Sequence, residues 1–198
     1  HYPLRRQRQM CIRDRYNPAF LAASEMVTEP RFVESERISP FPGRGIDVDI
    51  TLDLMIHDVD IIVSLIPSPI REMRALGATV LTDKIDVAKA WIEFENGSKA
   101  ILSVSRVSPE KKRRLTVYQK DSHLYIDYQN CEVRRYFRTP EGISHDTIRP
   151  ENKEPLKGEL EDFIRCIKER KRPRVSAIEG RDALKIVLEI TELIRREK

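Results

Sequence analysis

The sequence is short of the residues that build disulfide scaffolds and metal centres. Its three cysteines, Cys11, Cys131 and Cys166, stand far apart in 198 residues and form no CxxC pair. A disulfide framework or a cysteine-built zinc site is therefore not expected, and a reducing compartment, the cytoplasm, fits. Long hydrophobic runs are also missing. The longest, Ala19-Phe20-Leu21-Ala22-Ala23, falls far below the roughly 18 residues of a membrane span, so no membrane partner is expected. The seven glycines include no GxGxxG. No glycine-rich loop is thus prepared to bring a dinucleotide pyrophosphate to a helix N-terminus. An excess of one charge sign is absent as well, once residues 1–15 are set aside. Five arginines and one aspartate there account for the whole net charge of +4, and the rest of the chain is neutral. A nucleic-acid partner needs clustered basic charge within the fold, so none is expected. The basic segment lacks signal-peptide anatomy and any helical or strand period. Residues 1–14 are expected to be non-native to the domain, or else a disordered basic arm; the domain proper is read as 15–198.

What remains is an ordinary soluble composition, 40% hydrophobic and 34% charged, with enough chain to bury a core. Asn17-Pro18 opens a short helix over 19–26, because proline suits a first helical turn. A strand-like stretch follows from Phe32 to Ile38, then a Pro/Gly loop. The spacing predicts a long regular helix over 49–66, stopped by Pro67 and Pro69. Residues 85–148 read as strands: 85–95, 98–107, 115–119, 124–128, 133–138 and 142–148. Asn96-Gly97 gives a two-residue hairpin signal. Two helices close the chain over 156–171 and 177–196. Helix followed by antiparallel meander argues for an α+β fold.

One helix carries chemistry. In Leu52–Ile66, apolar residues cover most of the surface, which predicts burial. Yet Asp53, His57, Asp60 and Ser64 step by four, three and four residues and so line one polar stripe. A carboxylate four residues before a histidine can hold the imidazole in place. An oriented imidazole is the usual general base near neutral pH. Three readings compete: a solvated stripe with a weak Asp53–His57 pair, a catalytic base facing a cleft, and a metal site. The last draws on His57-Asp58, which resembles the doublet of HD phosphohydrolases. Supporting histidines are missing at any suitable spacing, so no metal is expected.

Asp53-Leu54-Met55-Ile56-His57-Asp58-Val59-Asp60 resembles the DxxxHxxD helix of the Gfo/Idh/MocA oxidoreductases. Arg15-Tyr16-Asn17-Pro18-Ala19 resembles the R-F/Y-N-P segment that begins their second domain, and the terminal helix after Val175-Ser176 is similar to theirs. The resemblance implies an open, mostly antiparallel sheet with helices on one face. It implies that the other face packs against a partner subunit in a homodimer or homotetramer. It also implies NAD or NADP as cofactor, bound mainly by a Rossmann domain that lies outside this sequence. His57 and Asp53 are implied catalytic residues beside the nicotinamide and the substrate carbinol, and Asn17 and Asp60 implied substrate-binding residues. Within the family, Glu36–Phe41 and Asp47-Val48-Asp49 look most like bacterial UDP-N-acetylglucosamine 3-dehydrogenases. The substrate is thus expected to be a sugar or nucleotide sugar. The alternative is a non-catalytic sugar-binding or oligomerisation module on the same fold.

Two further expectations follow. Ala88, Ala90, Ile92 and Phe94 should point to one face of the sheet and Val87 and Trp91 to the other, leaving apolar surface for self-association. As a fragment the chain should be catalytically silent and should not bind NAD(P) appreciably. Its terminal helix should rest on the missing domain and be the least protected element.

Overall fold

The computed structural model describes residues 13–43, 46–151 and 153–196. Most of the segment expected to be non-native, residues 1–12, lies outside them. A short 3-10 turn, Asp14–Tyr16, leads into helix α1, Pro18–Ser24. The Asn17 side chain accepts the Ala19 N–H at 2.9 Å and caps that helix. Strand β1, Pro30–Ile38, follows. The next helical element begins as a wide π-helical turn, Thr51–Met55, and continues as helix α2, Ile56–Leu65. Strands β2 Ile70–Ala78, β3 Val87–Phe94, β4 Lys99–Ser105, β5 Lys112–Gln119, β6 Ser122–Asp127, β7 Glu132–Thr139 and β8 Gly142–Ile148 come next. Helices α3, Pro155–Glu169, and α4, Ala177–Arg196, end the chain. No helix among the described residues is long and apolar enough to cross a membrane.

The eight strands form one open sheet in the order β2-β3-β4-β1-β5-β6-β7-β8. All neighbours are antiparallel except β1 and β4. The fold is therefore α+β, as expected, but not the simple meander expected over 85–148: β1 inserts between β4 and β5. The connection from Arg106 to Lys111 is long enough to step across it. β2 was not expected at all. Its burial is shallow along most of its length, as befits an edge strand, so its sequence carries no clean alternation. The turn at Asn96-Gly97 is present but is not the two-residue type. Gly97 takes φ +84° whereas Asn96 keeps a negative φ. The Gly97 N–H bonds the Phe94 carbonyl, and the Phe94 N–H bonds the Ser98 carbonyl. This is a three-residue hairpin with its glycine in the left-handed position.

Alternation assigns the two faces. Val33, Ala88, Ala90, Ile92, Phe94, Ala100, Leu102, Val104, Leu115, Val117, Leu124 and Ile126 are buried on the helix-covered face and join α1, α2 and α4 in one core. The opposite face carries a row of rings across the sheet. Phe32 stacks on Tyr118 (5.6 Å between centroids), and His123 stacks on Tyr136 at 4.9 Å. Trp91 and His145 extend the row at its two ends.

The two terminal helices exchange the roles expected of them. In α4, Gly180, Ala183, Val187, Ile190 and Ile194 are buried against the core. Thr191 shares a 2.7 Å hydrogen bond with Thr51. Close approach is built in at Gly77 on β2, where a Cβ would stand 2.9 Å from both the Ile194 side chain and the Val87 carbonyl. By contrast, Leu160, Phe163, Ile164 and Ile167 of α3 are each more than half exposed. That helix is tied to the domain at its middle, where the Tyr16 hydroxyl donates to Asp162 at 2.7 Å. Hydrogen exchange should therefore show α4 protected like the central strands and α3 exchanging faster. Equal protection of α3 and β4 would contradict this packing.

Candidate active site

The π-helical turn sets the site. A wide turn moves the i,i+4 positions out of the strict stacking of an α-helix. Asp53 and His57 consequently face one cleft without hydrogen bonding each other. The cleft has a volume of about 550 Å3. Its floor is Asp53, Leu54 and His57, and its walls come from Asn17, Arg37 of β1, Arg113 of β5, and Tyr128 just beyond β6. His57 is nearly buried. Its Nδ1 lies 3.2 Å from an Asp14 carboxylate oxygen. Asp14, the last residue of the segment read as non-native, is thus placed against the site in this chain. Burial pushes the Asp53 carboxyl above the usual carboxylate range, against the opposing pull of His57, Arg106 and Arg113.

The expected polar stripe does not hold as one unit. Asp60 is buried and turned away from the cleft, where it accepts a two-pronged salt bridge from Arg15. The Nε and Nη2 bonds are 2.6 and 2.7 Å long. Asp60 is therefore a structural anchor tying the domain's first turn to α2, not a wall of the cavity. The Ser64 hydroxyl bonds its own helix at the Ile61 carbonyl. Asn17 does line the cleft, although its side-chain oxygen is occupied in capping α1.

Sequence reasoning missed Arg37, Asp58, Arg113 and Tyr128. Arg37 and Asp58 are both buried and joined by three contacts of 2.8–3.2 Å. The Arg37 guanidinium also lies 6.0 Å from the Tyr128 ring centroid. The Tyr128 hydroxyl is buried without a hydrogen-bond partner. Burial, then the Asp58 charge, pushes it well above the ordinary tyrosine range. One signal was readable: Arg37 follows Val33 and Ser35 on the inward phase of β1. A charge at such a position requires a buried counter-charge.

A helix-borne histidine and aspartate thus lie under an open sheet and face a cleft walled by a strand arginine. Residues 27–124 match the GFO/IDH/MocA C-terminal domain. The chain is 32% identical over 167 residues to UDP-N-acetylglucosamine 3-dehydrogenase of Acidithiobacillus ferrooxidans, covering 81% of this chain and 53% of that protein. It superposes on a solved structure of that enzyme with TM-score 0.87 and 31% identity, over 93% of this chain and 61% of that one. Levoglucosan dehydrogenase in complex with NADH shares the fold at TM-score 0.83 and 14% identity, over 94% of this chain and 63% of that one. The chain belongs to the Gfo/Idh/MocA family and carries its C-terminal domain. It spans about half the length of the curated relative it matches.

Proposed function

We propose that this chain is the substrate-side domain of a cytoplasmic NAD(P)-dependent dehydrogenase that oxidises a secondary hydroxyl of a sugar. The substrate we favour is a nucleotide sugar, with UDP-N-acetylglucosamine, oxidised at its 3-hydroxyl, as the first to test. The observation that carries the reading is the π-helical turn that brings Asp53 and His57 into one cleft. Both residues lie inside the stretch that matches the family, so the proposal does not depend on Asp14. The domain is taken as residues 15–198.

A cleft of this size and polarity suits a pyranose ring together with the edge of a flat cofactor ring. NAD(P), when bound, supplies the hydride acceptor. His57 takes the hydroxyl proton while the carbon–hydrogen electron pair leaves, so the alcohol becomes a ketone; in the reverse direction it returns the proton. Asp53 accepts a hydrogen bond from a sugar hydroxyl and fixes the ring over His57. The Asn17 amide group, which lines the same cleft, holds a second hydroxyl in this reading. The Arg37–Asp58 pair supports His57 from behind, because Asp58 is the next residue on the helix and is locked to β1. In an enzyme made by joining this chain to the N-terminal domain of the ferrooxidans relative, sugar-dependent reduction of NAD(P) tests the proposal. Turnover unchanged by His57→Asn and Asp53→Asn together would remove it.

The ring-bearing open face of the sheet supports a homodimer or homotetramer. Tyr118 and Tyr136 are substantially exposed there, and large apolar patches are uncommon on monomers. Light scattering of the joined enzyme at micromolar concentration should give a dimer or larger. A strict monomer would contradict this.

A further inference from the structure

Four consecutive cations mark the start of β5: Lys111 just before the strand, then Lys112, Arg113 and Arg114 within it. Alternation sorts them. Lys112 and Arg114 share the phase of Tyr118, which looks onto the open face, and both are paired: Lys112 with Glu110 and Arg114 with Glu36. Lys111 and Arg113 share the phase of Leu115 and Val117, which face the helices. Both line the cleft that holds His57 and Asp53. Neither forms a salt bridge with any described residue.

Arg113 is also directly opposite Arg37 in the β1–β5 register. Like charges directly opposite on one sheet face are destabilising. Arg37 is in direct contact with Asp58 and Asp14, which attract Arg113 only from beyond salt-bridge distance. The Arg113 side chain stays exposed. Arg113 is thus a cation in the cleft wall with no salt bridge of its own among the described residues. A ligand anion on the substrate side of the cleft would relieve the repulsion. A planar guanidinium beside a lysine is the usual pairing for phosphate oxygens.

We infer that Lys111 and Arg113 form a subsite for the diphosphate of a nucleotide-sugar substrate, positioning its sugar over His57. This rests on the dehydrogenase reading above and specifies the substrate class within it. The same phosphate chemistry could come from the cofactor, so the test separates the two sources.

The experiment is calorimetric titration of the 198-residue chain at low salt with UDP, N-acetylglucosamine and NADP. UDP is expected to bind, and Arg113→Gln to weaken it about tenfold or more, the loss of a charge-assisted contact. Lys111→Gln should cost about threefold, as a point charge without the two-pronged geometry of a guanidinium would. Melting of Arg113→Gln should stay close to the wild-type temperature, since Arg113 forms no salt bridge with a described residue. A large drop in melting temperature would mean that Arg113 serves the fold and would overturn the inference. Phosphorus NMR of UDP with the wild-type chain gives a readout free of any variant: line broadening is expected, and its loss at high salt. UDP without measurable binding, UDP binding indifferent to both substitutions, or Arg113-dependent binding of NADP alone would each overturn the inference. The dehydrogenase reading stands or falls separately, on turnover of the joined enzyme. Equal turnover of UDP-N-acetylglucosamine and the free sugar would keep that reading and remove the diphosphate subsite.

Discussion

Replacing His57 by asparagine is expected to lower kcat of the joined enzyme by about 10²–10⁴-fold, the usual contribution of a positioned proton acceptor. The imidazole is the only titratable base on the cleft floor besides Asp53. Asparagine keeps the polarity of the position but cannot take the proton. KM should change little, because sugar orientation is left to Asp53 and Asn17. The two roles separate in steady-state kinetics: His57→Asn should act on kcat, and Asp53→Asn mainly on KM. A kcat in His57→Asn equal to that of the wild type would move the base elsewhere.

The second large effect concerns stability. Asp86 is fully buried. Its Oδ2 accepts the N–H groups of Val80, Leu81 and Thr82 at 2.7–2.9 Å, and its Oδ1 accepts the Thr82 hydroxyl at 2.7 Å. Arg106 Nε lies 2.9 Å from Oδ1. Arg106 in turn donates to the carbonyls of Val48 and Ile85. This knot ties the β2–β3 loop, the entry to the helical element and the end of β4. Removing one partner of a buried pair strands the other charge and typically costs about 3–5 kcal/mol. Asp86→Asn should lose about that much in urea unfolding at neutral pH, a large share of a domain's usual 5–15 kcal/mol. Burial alone would raise the Asp86 pKa, but the Thr82 hydroxyl and the three backbone N–H groups outweigh it and hold the carboxyl well below the usual range. A depressed folded-state value means the contribution is complete above the unfolded value of about 3.9 and is lost as pH falls below it. The gap between wild type and Asp86→Asn should therefore narrow in acid. A gap that stays constant down to acid pH would show that the Asp86 charge is not what stabilises the knot.

The parts of this molecule that were legible in its sequence are those fixed by local pattern. Alternation in Ala100, Leu102 and Val104 marked β4, and Leu124 and Ile126 marked β6. The near-continuous apolar surface around His57 marked a buried helix. Contacts between distant segments were not legible. Arg15 reaches Asp60 across 45 residues and Arg37 reaches Asp58 across 21, so Asp60 looked available and Asp58 looked like half of a metal doublet. The terminal helices show why amphipathicity alone does not assign a partner. Both have one apolar face, but only α4 brings its face, Ala183, Val187 and Ile190, onto the core, with Ile194 against Gly77. The bulkier face of α3, with Leu160 and Phe163, stays uncovered. The π-helical turn was also invisible to a 3.6-residue period, although it turns Asp53 and His57 toward one cleft rather than toward each other.

Hydride and proton leave the same carbinol in the proposed chemistry, so isotopic labelling of that carbon is the most direct test. The joined enzyme would be given a nucleotide sugar deuterated at the carbon to be oxidised, together with NAD(P), and the reduced cofactor examined by mass spectrometry. The account predicts transfer of the deuterium to the nicotinamide, at a rate that collapses in His57→Asn. Reduced cofactor without the label, or label transfer undiminished in His57→Asn, would contradict it.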